Sequence, residues 1–231
     1  MLSDVDIKRR LGKNIAIFPF NGENIRGCSV YITASKLAWS LKTKKKISNH
    51  EKILIPADDA ALIISTETIS LDKNVAGICQ SRVSLIKLGL GNSAAPIRPG
   101  YTGRLLIVIN NRTDKEIAID IDTHIANVML HRLVSEANSS DNDAASLMNA
   151  NALKVLGLDL SDEDCEELDS QGSFERDVVK NKMIHSQEYE EFKRNDREVP
   201  SWILFVMKHI IEIISVILGA VIGAVAVKGI G

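Results

Sequence analysis

Aromatic residues are scarce. Phe, Tyr and Trp make up 4% of the 231 residues, too few for a platform on which single-stranded nucleic acid could stack. An excess of positive charge is also missing, since the formal net charge is −2, so no nucleic-acid partner is expected. The three cysteines, Cys28, Cys79 and Cys165, are odd in number, far apart and in no metal-ligand spacing. That fits a reduced compartment rather than a disulfide framework. No Walker loop, GxGxxG, HExxH, paired CxxC or GxSxG occurs. The five histidines are scattered, and His124 and His131 sit near the ends of apolar runs, where ordinary hydrogen bonding is the expected role. The opening MLSDVDIKRRLGKN is charged from the start and lacks the apolar core of a secretory signal. No metal site and no resident cofactor are expected.

What is present is ordinary in amount and uneven in distribution: 45% hydrophobic, 25% charged. Ser3–Leu11 reads as a short helix capped by Ser3 or Asp4, with Leu2, Ile7 and Leu11 on one side. From Ile15 to about Leu133, short β-rich runs alternate with turn clusters: NIAIFPF, SVYITA, KILIPA, AALIISTETI, AGICQS, GRLLIVIN, EIAIDI and IANVMLHRL. Such spacing, without long helical periodicity, predicts an all-β barrel or sandwich. The basic segment LKTKKKISNHEK reads first as a solvated hairpin tip and second as a phosphate contact. Beyond Leu133, SEANSSDNDAA is a polar linker, and AASLMNANALKVLGL places Leu147, Leu153 and Leu156 near helical spacing. SDEDCEELDSQ opens with Ser161 and Asp164 in a capping arrangement. Its acids read as a solvated helix face, because they match no calcium-loop pattern. SQEYEEFKRNDREVP is a charged helix ending at Pro200.

The tail is different again. Ile210–Val227 holds eighteen residues with one charge, Glu212, and Trp202–Val227 is long enough to span a bilayer even when tilted. Lys208 and Glu212 are four apart and could pair on one helical face. Gly219 and Gly223, with Ala220 and Ala224 beside them, make a small-residue stripe suited to helix self-association. The bland alternative is that small residues are common in such helices. Lys193, Arg194 and Arg197 precede the segment, which would put the β domain in the cytoplasm of a single-pass, tail-anchored membrane protein in contact with lipid. A buried or surface-lying amphipathic helix is the competing reading. Three regions follow: a β domain at 1–134, a polar, acidic helical region at 135–200, and a membrane helix at 201–228.

SAAPIRPGYTGRLLIVINN joins a Pro-Gly loop to a strand, the build of a pocket rim, yet contains no Asp, Glu, His or Cys. Four stretches in series give this passage a context. LSDVDIKRRLGKNIAIFPFNGENIRGCSV resembles the short helix, I-x-PF and Ser-Val opening of dCTP deaminases. STETISLDKNVAGICQSRVSLIKLGL is similar to their T-x-E-x-I-x-L…G-R-S-S-L-A-R-L-G-L, IRPGYTGRLLIVINN to I-D-P-G-F-x-G-x-I-x-L-E-F-x-N, and DTHIANVML to the G-x-x-I-A-Q-L strand. The resemblance, to the dCTP deaminase and dUTPase superfamily, covers Leu2–Leu133. It implies a distorted β-barrel or jelly roll of the dUTPase-like type and a homotrimer with nucleotide sites at subunit interfaces.

Carried over residue by residue, the phosphate-contacting cluster falls on Arg82, Ser84 and Lys87, with Val83 where the family has a hydroxyl. The loop Gly91–Ile97 takes the place of the segment that reads the pyrimidine edge, and Tyr101 stands beside it. The acid of I-D-P-G becomes Arg98, the deaminase glutamate becomes Val108, the early S-V-D acid becomes Tyr31, and the glutamine of I-A-Q becomes Asn127. Valine cannot move a proton, and arginine is permanently charged. Arg98 either adds anion attraction to the pocket or simply faces solvent or a neighbouring acid. The resulting expectation is a module without catalytic residues that binds a pyrimidine deoxynucleotide, with magnesium arriving only alongside it. A sensor or effector in bacterial defence or stress would fit that architecture. The alternatives are an active dCTP deaminase or dUTP pyrophosphatase using Asp58, Asp59 or Glu67, and a structural trimeric scaffold.

Overall fold

A computed structural model describes residues 1–138, 150–172 and 175–195 of the chain. The first helix, α1 (Asp4–Arg10), begins at a reciprocal capping box in which Ser3 and Asp6 satisfy each other's backbone N–H groups. Eleven strands follow: β1 (Ile15–Phe18), β2 (Ile25–Arg26), β3 (Ser29–Ser40), β4 (Lys52–Ile55), β5 (Asp59–Leu71), β6 (Val75–Ser81), β7 (Leu90–Asn92), β8 (Ala95–Ile97), β9 (Thr102–Asn111), β10 (Ile117–Asp120) and β11 (His124–Arg132). A single turn of helix, α2 (Val83–Ile86), separates β6 from β7. All eight β-rich runs read from the sequence carry strands.

The main sheet runs β7-β9-β5-β3-β11-β6-β8, with β1 on β5 and β2 on β3, and β4 pairs with β10 in a sheet of two strands. Every pairing within it is antiparallel, and the sheet curls into a half-barrel. Register shifts between Ala34 and Ala38, Ile64 and Thr68, and His124 and Ala126 give it its distortion. β5 is an interior strand between β9 and β3, buried along most of its length, which is why its first half, AALII, reads as a continuous apolar run rather than an alternation.

Four helices follow: α3 (Ala150–Val155), α4 (Asp162–Gly172), α5 (Arg176–Ile184) and α6 (Gln187–Asn195). Residues Met1–Glu190 form one compact unit, so α3, α4 and α5 pack on the β domain. Ala150, Leu153, Leu158 and Leu168 bury themselves against Leu37, Trp39, Leu62 and Ile64. The Trp39 indole N–H donates to the Asp159 carbonyl at 2.8 Å. Of the three leucines read from the sequence here, Leu153 enters this core, whereas Leu156 is 51% exposed. Leu147 lies outside the described residues.

Both charged segments stay largely exposed, as expected, but each gives one group to a contact that the sequence did not announce. The side chain of Asp164 is 1% exposed and pairs with Lys46 at 2.5 Å, while Lys36 reaches Glu163 at 2.6 Å and Glu167 at 3.4 Å. Ser161 and Asp164 do form the reciprocal cap, at 3.1 and 3.2 Å. Each sign of charge meets the other across a long stretch of chain, a match that local composition does not reveal.

On another side of the β domain, Val179 and Met183 of α5 are buried. The Ile17 amide donates to the Met183 sulfur at 3.2 Å, and Arg176 pairs with Asp72 at 2.6 Å. The Arg176 guanidinium first, then backbone and Asn14 donors, lowers the Asp72 carboxyl to about 2 against the opposing effect of burial. A carboxylate whose pKa falls on folding stabilises above its unfolded value, here 3.8, and loses that contribution as pH drops towards 2. Asp72→Asn is therefore expected to cost about 1 kcal/mol at neutral pH, the pair being partly screened by solvent. In denaturant titrations, the gap to the wild type should close as pH falls from 4 towards 2.

Among the described residues no helix is long and apolar enough to cross a membrane. The expected membrane helix, with Gly219, Ala220, Gly223 and Ala224, lies outside them.

Candidate functional site

A cavity of about 360 Å³ opens beside β9. It is lined by Cys79 of β6, the Asn92–Ile97 segment, Tyr101, and Leu105–Val108. Strand pairing explains why it is there. Between Thr102 and Val108, β9 pairs with β5 along one edge and, among the described residues, with no strand along the other. β7 resumes pairing only at Ile109–Asn111, and β8 turns away to pair with β6 instead. Backbone along that open edge of β9 is available to an occupant. Gly77 makes the approach of β8 feasible, because a Cβ there would stand 3.2 Å from Leu130 Cδ2 and 3.3 Å from Ile97 Cβ.

The rim is set by a tight turn. In Arg98-Pro99-Gly100-Tyr101 the Tyr101 amide donates to the Arg98 carbonyl at 3.2 Å, and Gly100 adopts φ +81°. Proline at the second and glycine at the third position of a type II turn is what that conformation requires. The turn swings Tyr101 into the cavity wall, where its hydroxyl donates to the Arg104 carbonyl at 2.5 Å. On the opposite wall, the Asn92 amide donates to the Ser81 hydroxyl at 2.7 Å and fixes the start of the loop.

Chemically the cavity is quiet. Among the described residues no Asp, Glu, His, Lys or Arg lines it. Burial raises the Cys79 thiol to about 11 and pushes the Tyr101 phenol up as well, so both stay protonated and neutral at pH 7. Of the sequence-derived positions it brings together Tyr101, Val108 and most of the Gly91–Ile97 loop, from Asn92 to Ile97. Arg98 is exposed and does not line it; neither do Arg82, Ser84 and Lys87, which lie on or beside α2.

The alternative acids are placed elsewhere. Asp59 is buried and holds a turn, accepting from the Ser40 hydroxyl at 2.5 Å and the Ala60 and Lys42 amides at 2.6 and 3.2 Å. With the exposed Asp58, it lines a separate opening near Lys42 and Arg112. Glu67 is buried and accepts from the Thr33 amide at 2.9 Å and hydroxyl at 2.8 Å. Burial raises its pKa, which those hydrogen bonds partly oppose. Its role in the described structure is structural.

One arrangement had no sequence signal. The Arg82 guanidinium sits 4.4 Å over the ring of Tyr31, and the Tyr31 ring lies 5.2 Å from that of His124. His124 Nε2 in turn contacts Asn24 Oδ1 at 2.9 Å. Burial, then Arg82 and Arg26, lowers the pKa of His124. His131, by contrast, has an Nε2 that is buried without a hydrogen-bond partner. Among the described residues no group of His, Cys, Asp or Glu is placed to hold a metal ion.

A family model described as dCTP deaminase-like matches residues 1–133. The chain belongs to the dCTP deaminase-like family. It is similar to the dCTP deaminase of Pyrococcus abyssi, 26% identical over 130 residues that cover 56% of this chain and 84% of that protein. The dCTP deaminase of Thermococcus sibiricus is 26% identical over 124 residues, 54% of this chain and 80% of the relative. Among solved structures, the 2'-deoxycytidine 5'-triphosphate deaminase from Agrobacterium tumefaciens aligns with a TM-score of 0.48 at 12% identity, over 65% of this chain and 53% of that one. Native EIAV dUTPase aligns at 0.40 and 18% identity, over 55% and 98%. The family match stops at the end of the β domain, so α3 to α6 lie beyond it.

Proposed function

We propose that this member of the family holds a pyrimidine deoxynucleotide without processing it by acid–base chemistry. The observation that carries the reading is the lining of the cavity, where Val108 and Tyr101 stand with neutral, mostly apolar company and, among the described residues, no acid–base group that titrates near neutral pH. General acid–base transfer contributes about 10²–10⁴-fold to a rate, and nothing in this wall supplies it. Recognition needs less. An uncharged slot beside the open edge of β9 suits a flat base read by backbone groups, and the buried side of the wall, at Cys79, Tyr101, Leu105 and Ile107, strengthens such hydrogen bonds.

The phosphates need positive charge, which the cavity lacks. Arg82, Lys87 and Arg98 lie outside it with Ser84, as expected of a site completed by a second copy of the chain. A homotrimer supplies that copy on this reading. The half-buried, uncharged row Ile78, Gln80, Asn127 and Met129 on β6 and β11 is the surface offered to it, and Asn127 Oδ1 is buried there without a partner. The apolar tail at 201–228 then tethers the assembly to a membrane with the β domain on the cytoplasmic side, where binding could report a change in the nucleotide pool during defence or stress.

Calorimetric titration of the full chain in detergent tests this reading. dCTP or dUTP should bind near one site per chain, and the protein should sediment with membranes until residues 202–231 are removed. Absence of binding by both nucleotides would sink it. A second reading, dCTP deamination, draws support from the curated relatives, which carry that name. It would require a catalytic acid delivered to this cavity from another copy.

A further inference from the structure

The stack of Asn24, His124, Tyr31 and Arg82 takes no part in the cavity wall, yet it is assembled from four separate parts of the chain. Asn24 belongs to the turn before β2, Tyr31 to β3, His124 to the start of β11, and Arg82 to the junction of β6 and α2. Asn24 is buried and fixes the His124 ring, which tilts 55° against Tyr31. Tyr31 then presents its other contact to the Arg82 guanidinium. At its backbone end Arg82 is held as well, its carbonyl accepting from the Leu85 and Ile86 amides at 3.1 Å each.

Two ways of holding an arginine differ in what they leave for a ligand. A carboxylate fixes the guanidinium through paired hydrogen bonds, but cancels its charge and occupies its donors. An aromatic face holds it through the ring quadrupole and leaves the net charge and the N–H edge intact. Arg82 has the second arrangement. Among the described residues no Asp or Glu is within ion-pairing distance of it.

We propose that Tyr31 is a positioning residue that holds Arg82 in place with its full charge available to the phosphates of the ligand. This rests on the reading of Arg82 as a phosphate contact. The neutral state of His124 serves the same end, since a cation behind Tyr31 would repel the guanidinium in front of it. Lowering of the His124 pKa by burial, Arg82 and Arg26 fits that role.

The test is calorimetric titration of the full chain with inorganic triphosphate at low and moderate salt. Arg82→Gln should weaken binding about 10- to 100-fold, the usual cost of a charge-assisted contact. Tyr31→Phe keeps the ring and should stay within about twofold of the wild type, whereas Tyr31→Leu should lose about fivefold. Tyr31→Asp should lose more than about tenfold and show a flatter salt dependence, because the guanidinium is neutralised in place. Thermal unfolding of each variant separates these losses from misfolding, and Tyr31→Phe controls for it directly. If Arg82→Gln binds like the wild type, the phosphate reading of Arg82 fails. If Arg82→Gln is weak but Tyr31→Leu matches Tyr31→Phe, the positioning role of Tyr31 is wrong while the phosphate reading survives.

Discussion

Replacing Trp39 with alanine is expected to lower the unfolding free energy by about 3–5 kcal/mol, the range for deleting a buried large aromatic side chain. Trp39 has no exposed surface and stands where β3 meets Leu153, Leu158 and Leu168. Its indole N–H also satisfies the Asp159 carbonyl, which the substitution leaves without that donor. The control is Leu156→Ala, just past the end of α3 and half exposed, which should change stability by less than about 0.5 kcal/mol. Urea denaturation of the two variants decides whether α3 and α4 belong to the fold or merely rest on it. Equal, small effects would show that the helices contribute nothing to the core.

A comparable loss, about 3–5 kcal/mol, is expected for Arg104→Met, because it breaks a buried ion pair by removing one partner. Arg104 is 6% exposed and donates from Nε to the Ser65 carbonyl at 2.5 Å. Its Nη1 lies 3.3 Å from Glu167, and Glu67 interacts with it electrostatically. Without the guanidinium, Glu67 loses its nearby positive charge in a dry setting, and Glu167 is left with Lys36, at 3.4 Å. The pH dependence has a definite sign. Glu67 already has a raised pKa, so its contribution to stability is greatest when it is protonated, below the ordinary value of 4.5, and declines as pH rises. The penalty of Arg104→Met should therefore be largest near pH 7.5 and shrink as pH falls towards 4.5. Adding Glu167→Gln should recover part of it, since the two side chains are in contact. A penalty independent of pH would place the cost in lost packing instead.

These two residues also mark the limit of what the sequence reveals. Strands with at least four residues announced themselves through β-branched runs between turns, whereas β2, β7 and β8, with two or three residues each, are too short to carry a pattern. Those short strands nevertheless shape the site, since β8 turning towards β6 is what leaves β9 open. Tyr101 and Val108 were legible because both fall within a passage resembling a known family, and the Pro-Gly turn just before Tyr101 has local causes. The docking of α4 was not legible. Acids at positions 163, 164 and 167 look solvated until Lys36, Lys46 and Arg104 arrive from far away in sequence. The Tyr31–Arg82 stack likewise joins residues about fifty positions apart with no periodicity between them.

The absence of a charged or titrating acid–base group from the cavity lining, among the described residues, is the point on which the functional account turns. Incubating the full-length protein with radiolabelled dCTP, at concentrations where binding is saturated, and separating the nucleotides over many hours tests it most directly. The account predicts dCTP retained by the protein and recovered unchanged. Accumulation of dUTP or dUMP in proportion to protein, carried by the wild type and abolished by a change at Tyr101 or Arg82, would contradict it.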